Sequence, residues 1–100
     1  MMPEGTKLGE VGKEILFENE RVRIWGLSLE PGEVQDWHRH EYPYIVVPLT
    51  EGQNVMTFAD GRERETVESP GMALWREPGM AHKLTNASGW TYSNVLIELK

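Results

Sequence analysis

The sequence predicts an all-β domain, a sandwich or barrel of about eight short strands. Turn signals recur at short intervals: Glu30-Pro31-Gly32, Glu51-Gly52-Gln53-Asn54, Asp60-Gly61, Ser69-Pro70-Gly71, Pro78-Gly79 and Asn86-Ala87-Ser88-Gly89. The segments between them are short and rich in β-branched and aromatic residues. No window carries a sustained 3.6-residue apolar repeat, so little helix is expected.

Taken in order, the strand-like runs are residues 14–19, 21–30, 44–50, 54–59, 62–67, 72–76, 81–86 and 90–99. Arg21-Val22-Arg23-Ile24 and Arg62-Glu63-Arg64-Glu65-Thr66-Val67 mix charge into strand-length runs, as a sheet with one wet face requires. Asp60-Gly61 joins two such runs, and both residues tolerate the positive φ of a tight hairpin. Residues 1–13 differ, with glycines at 5, 9 and 12 and few large apolar side chains. They are expected to form an N-terminal arm, either loosely ordered or exchanged with a partner subunit to cover a sheet edge. Residues 14–100 make up the single domain.

One hundred residues support one modest core. The formal net charge of −6 and the absence of any Lys/Arg-rich run argue against a nucleic-acid partner. The longest apolar run, Tyr44-Ile45-Val46-Val47-Pro48-Leu49, falls far short of the ~18 residues of a membrane span. The N-terminal residues lack the apolar core of a secretory signal. With no cysteine, disulfides, thiolate ligands and a cysteine nucleophile are all absent. A soluble, cytoplasmic protein with no membrane partner is the expectation.

The chain has only three histidines, His38, His40 and His82. His38 and His40 form an H-x-H pair, and on a strand residues i and i+2 share a face. His82 would have to arrive from another strand. Three imidazoles converging on one point would leave part of a metal's coordination sphere open, the construction of a catalytic rather than a structural site.

Two blocks around these histidines carry a resemblance. Gly32-Glu33-Val34-Gln35-Asp36-Trp37-His38-Arg39-His40 resembles the first cupin motif: glycine, five residues, then H-x-H. Gly71 to Asn86 is similar to the second motif, with Gly71, Gly79, His82 and Asn86 in register. The resemblance covers residues 21 to 99. It implies a cupin-type jelly-roll β-barrel of two antiparallel sheets, with residues 14–100 as a single cupin domain. Glu77 stands where the second motif usually has proline, and Pro78 follows at once. The glutamate that the first motif normally places three or four residues after its second histidine is missing, because Tyr44 and Ile45 hold those positions. Glu41 would face away from the site on a regular strand.

The implied metal set is therefore His38, His40 and His82 alone. A divalent ion held by three neutral imidazoles keeps its full charge and attracts an anionic, preferably bidentate ligand. Among cupins such sites resemble those of thiol dioxygenases and β-diketone-cleaving dioxygenases. The short chain looks more like small stand-alone cupins, including some connected with β-alanine degradation. These likenesses imply a metal-dependent protein acting on a small organic anion with dioxygenase-type chemistry. Iron(II) is the favoured cofactor, and zinc, nickel, manganese and copper are alternatives. A non-redox isomerase or lyase, and a non-catalytic small-molecule-binding cupin, stay open. A homodimer is expected from the size and the arm.

Tyr44 is the candidate catalytic residue, its hydroxyl available to a bound ligand if the ring faces the cavity. Trp37 and Trp75 are expected to help exclude water there. Arg76 and Lys83 are candidates to hold a substrate carboxylate, Arg39 should point away, and Glu77 could act as a base only if it projects inward. Asn86 is expected to hold backbone near the site. The ordinary imidazole pKa predicts that metal binding weakens below about pH 6.5.

Overall fold

The computed structural model describes all of Met1–Lys100. Nine strands form: β1 Glu14–Glu18, β2 Val22–Leu29, β3 Val34–His38, β4 Tyr44–Pro48, β5 Gly52–Phe58, β6 Glu63–Glu68, β7 Leu74–Arg76, β8 His82–Asn86 and β9 Tyr92–Leu99. They build a five-stranded sheet in the order β1-β2-β9-β4-β7 and a four-stranded sheet in the order β3-β8-β5-β6. Every pairing is antiparallel. There is no helix, and so none long and apolar enough to cross a membrane. The expected strand list lacked β3, whose Gln35 and Asp36 dilute the apolar signal.

The expected Asp60-Gly61 hairpin joins β5 to β6. Gly61 takes φ of 91° and donates its N–H to the Phe58 carbonyl. Inside the barrel, Trp25, Tyr44, Val46 and Leu96 form the apolar centre, with Val11 and Leu74 packed against them. The Trp25 indole N–H donates to the buried Glu98 carboxylate, which supplies the polar end of the ring with its partner.

Residues 1–13 run across their own barrel. Met2 N–H donates to the Ala59 carbonyl, Gly9 N–H to that of Trp37, and Gln35 Nε2 to that of Glu10. Gly12 lies flush on Trp25, where a Cβ would stand 2.5 Å from the Trp25 Cβ. Only glycine passes at that distance, and the approach brings Val11 over the barrel interior.

The two sheets differ on their outer faces. The outward positions of the four-stranded sheet include Asp36, Glu63, Glu65 and Lys83. On the five-stranded sheet Ile24, Ile97, Ile45 and Trp75 stand side by side in register, and Gly26, Val95 and Val47 form the next row. The first row contains no charge, and the second meets one only at its β1 end, where Glu14 pairs with Gly26.

Candidate metal centre

The first half of the site is set by a break in strand regularity. In the pairing of β3 with β8, Gln35 faces Leu84 and His38 faces His82, so three residues on one strand answer two on the other. This β-bulge resets the alternation, and Gln35, His38 and His40 all turn inward although the first two are an odd number apart. The bulge also brings the Asp36 carbonyl to 2.7 Å from His38 Nδ1. A carbonyl only accepts, so Nδ1 carries the proton and the Nε2 lone pair of His38 is left for a ligand.

His40 lies just past the end of β3, not on a continuing strand as the H-x-H spacing suggested. Its ring stacks on Tyr44, with centroids 3.7 Å apart and planes at 14°. Tyr44 opens β4 and faces the interior, so the residue in the missing glutamate's place positions a histidine. His82 opens β8 between β3 and β5. Phe58 of β5 meets its ring edge-on at 6.0 Å.

The three imidazoles converge. Ring centroids are 5.2 Å (His38–His40), 4.6 Å (His38–His82) and 5.3 Å (His40–His82) apart. One ligand atom from each lies within 4.8 Å of the others. An equilateral triangle of that side has its centre about 2.8 Å from each corner, against about 2.1 Å for a metal–imidazole bond. Side-chain rotations of under about 1 Å would close the set on an ion. No carboxylate joins the group, and Glu41 is exposed. All three histidines are buried, at 3, 4 and 7% exposure.

Burial is the main force on their protonation. It lowers the His38 pKa, partly opposed by the hydrogen bond to Asp36. It drives His40 down to about 3 and His82 to about 4, with His38 adding repulsion in both cases. His40 Nδ1 is buried without a hydrogen-bond partner. Three neutral nitrogen donors, packed together with one of them orphaned, fit a divalent metal of imidazole preference.

The triad closes one end of a cavity of about 40 Å³ inside the barrel. Leu27, Val46, Leu84 and Leu96 wall its middle, and Thr66, Glu68, Tyr92 and Asn94 its far end. Phe58, Arg64, Arg76 and Glu77 surround the entrance beside His40 and His82. Neither Arg64 nor Arg76 has a carboxylate within ion-pair distance, whereas Arg23 and Arg62 do. Burial pushes the Tyr44 phenol up to about 12, against the pull of these two arginines.

Two expectations about tryptophan need correction. Trp37 is buried under the arm with Lys83 Nζ over its ring at 5.1 Å, and it does not line the cavity. Trp75 is 51% exposed on the outer sheet face, its indole N–H donating to Glu77. The bulge displaces the first, and the strand alternation of β7 turns the second outward. Lys83, next to His82 on β8, also faces away from the triad. Asn86 holds backbone as expected, donating to the Leu29 and Trp90 carbonyls, but at the end of β8 opposite His82. Phe58, Arg64 and the Glu68 end of the cavity had no sequence signal beyond their alternation along β5 and β6.

The same architecture recurs among solved structures. A cupin domain from Bordetella pertussis Tohama I is 30% identical, with a TM-score of 0.82 over 96% of this chain and 99% of that one. The chain is a cupin. No established family profile matches this cupin. It is also 32% identical over 86 residues to the beta-alanine degradation protein BauB of Pseudomonas aeruginosa, covering 86% of this chain and 90% of that protein. A cupin superfamily protein from Desulfitobacterium hafniense DCB-2 shares the fold at 18% identity, with a TM-score of 0.64 over 98% and 94% of the two chains.

Proposed function

We propose that this cupin holds a divalent first-row metal through His38, His40 and His82 and acts on a small organic anion, with iron(II)-dependent dioxygenase chemistry leading. The observation that carries the reading is the buried, carboxylate-free histidine triad beside two arginines that lack acidic partners. A metal held by three neutral imidazoles would supply an undiminished positive charge and open positions for a substrate anion and dioxygen. Arg64 and Arg76 would draw the anion to the entrance. Tyr44 would hold His40 by stacking and offer its hydroxyl to the ligand. The relative from Pseudomonas aeruginosa, called a beta-alanine degradation protein, fits a substrate drawn from small amino-acid-derived anions.

A non-redox isomerase would need a base beside the metal. The Tyr44 phenol, at about 12, is a poor one at neutral pH, and Glu77 is engaged by the Trp75 indole. This favours dioxygen chemistry. Elemental analysis of anaerobically purified protein, followed by oxygen uptake with small thiols, diketones and amino-acid catabolites, tests the reading. Iron with substrate-dependent uptake supports it. Zinc or nickel with proton exchange on the substrate would replace it with the isomerase, and ligand binding without product would leave a binding module.

Tyr44→Phe keeps the stacking ring, so metal content should be unchanged while turnover falls about tenfold through the lost hydrogen bond. Equal turnover in the two proteins would reduce Tyr44 to a packing role.

We also propose that the cupin forms a homodimer through the outer face of the five-stranded sheet. An antiparallel sheet facing water ordinarily carries polar side chains on its outer face. The uncharged row through Ile97, with Val47 and Val95 beside it, departs from that pattern, which a second copy of the same face would satisfy. Light scattering should give twice the chain mass, and Ile97→Glu should return it to the monomer value.

A further inference from the structure

The closed end of the cavity carries polar chemistry that the triad does not use. Along β5, Phe58 pairs with His82 and Asn54 with Asn86. Those two levels are four residues apart, about 13 Å along the strand. Beside the lower level Glu68 of β6, which pairs with Gly52 two residues beyond Asn54, is only 6% exposed and forms no ion pair. Asn54 Nδ2 donates to Glu68 at 3.2 Å, and Asn94 Nδ2 donates to the Tyr92 hydroxyl at 2.9 Å. Burial, and then a hydrogen bond to Glu68, push the Tyr92 phenol up.

The protein leaves buried polar atoms around this network without partners. Asn54 Oδ1, Asn94 Oδ1 and Thr66 Oγ1 are all buried without a partner. Thr66, Glu68, Tyr92 and Asn94 line the cavity itself. A buried carboxylate with no cation beside it, and buried carbonyls with no donor, each cost free energy in a low-dielectric interior. A cation that brings several N–H donors would answer both costs. A primary ammonium brings three donors and one charge. Above the cluster the walls are Leu27, Val46, Leu84 and Leu96, which suit methylene groups.

We propose that the closed end of the barrel is a subsite for the primary ammonium of a short aliphatic ligand, with Glu68 as counter-charge and Asn94 and Thr66 as acceptors. The inference rests on the functional reading above in one respect: it places the ligand's acid end toward the triad and Arg76. The substrate class is then an ω-amino acid. The cavity holds about three waters, and a linear ligand of about six heavy atoms takes similar space. The register does not fix the ligand's length, so the experiment must read the chain length that fits.

The test uses zinc-loaded full-length protein, so that binding is measured without turnover. Calorimetry compares ω-amino acids of three to six carbons with straight-chain carboxylates of equal length. At least one amino acid should bind about tenfold or more tighter than its counterpart, as a charge-assisted hydrogen-bonded pair predicts. Glu68→Gln should bring that ratio to about one with zinc content unchanged, and Thr66→Val, which leaves the carboxylate in place, should lower it in part. A ratio of one in the wild type, or a ratio unaffected by Glu68→Gln, overturns the proposal. A thermal midpoint raised by potassium but not by the amino acids, and lost in Glu68→Gln, assigns the cluster to an alkali cation and overturns it too. If zinc binds but no carboxylate of either kind does, the anion reading has failed separately. Short n-alkylamines then test the subsite alone, and equal binding to wild type and Glu68→Gln sinks it.

Discussion

Replacing His82 with alanine should take the protein from near one metal ion per chain to near none and leave the barrel folded. The backbone of His82 pairs with both β3 and β5, and those hydrogen bonds do not depend on the side chain. The ring contributes one of only three ligand nitrogens, and no nearby carboxylate can take its place. Glu41 is exposed, Glu77 accepts from Trp75, and Glu68 lies at the other end of the cavity. Two imidazoles then remain where a stable site needs at least three protein ligands. Elemental analysis reads the loss directly, and urea unfolding reads it through linkage. A metal at 100 times its dissociation constant should stabilise the wild type by about 2.7 kcal/mol and the variant not at all. Equal metal content in the two proteins would mean that the triad is not the binding site.

How much of this centre could be read from the sequence depends on which physical signal carried each part. The H-x-H pair and the spacing from Gly71 to His82 were legible because turns and ligands occupy fixed positions along the chain. The bulge in β3 was not, since it follows from the cross-strand register of Gln35 with Leu84 and His38 with His82. The bulge has a visible consequence: Trp37, beside His38 in sequence, does not line the cavity, and its ring lies under Lys83. Tyr44 stood out as the occupant of an absent ligand's position, but only packing reveals that it stacks on His40. Glu68, Tyr92 and Asn94 come from β6 and β9, far apart in sequence, and no motif joins them. Charge mixed into Arg62–Val67 is what a sheet with one wet face requires. In the structure Arg64, Thr66 and Glu68 turn toward the interior while Glu63 and Glu65 turn to solvent. Alternation within a charged run was the available clue, and composition alone obscured it.

The metal-free protein should lose stability as pH falls from about 6.5 toward 5, while its metal affinity stays nearly flat over the same range. Both expectations follow from the buried histidines. Unfolded, each titrates near 6.5, whereas burial holds His40 near 3 and His82 near 4 in the fold and lowers His38 as well. Between those limits the unfolded chain binds protons that the native chain refuses, so acid favours unfolding. The contribution is fully present above 6.5 and is lost as pH falls toward the native values. By pH 5 about 2 kcal/mol of it has been lost for each of His40 and His82. The carboxylates held low by hydrogen bonds and charge, Glu18, Glu33 and Asp60, act only below their ordinary values of 4.5 and 3.8, in a separate window. Metal affinity follows the native values, because the ion competes with protons for nitrogens that burial keeps neutral at His40 and His82. Its decline therefore begins near pH 4 for His82, not near 6.5 as free imidazole would suggest. Urea midpoints at pH 7.5, 6 and 5 check the first expectation, and His82→Ala should flatten their slope. A competitive zinc titration at pH 7.5 and 5.5 checks the second. A steep loss of zinc over that interval would mean that the imidazoles titrate as exposed groups and would overturn the expectation.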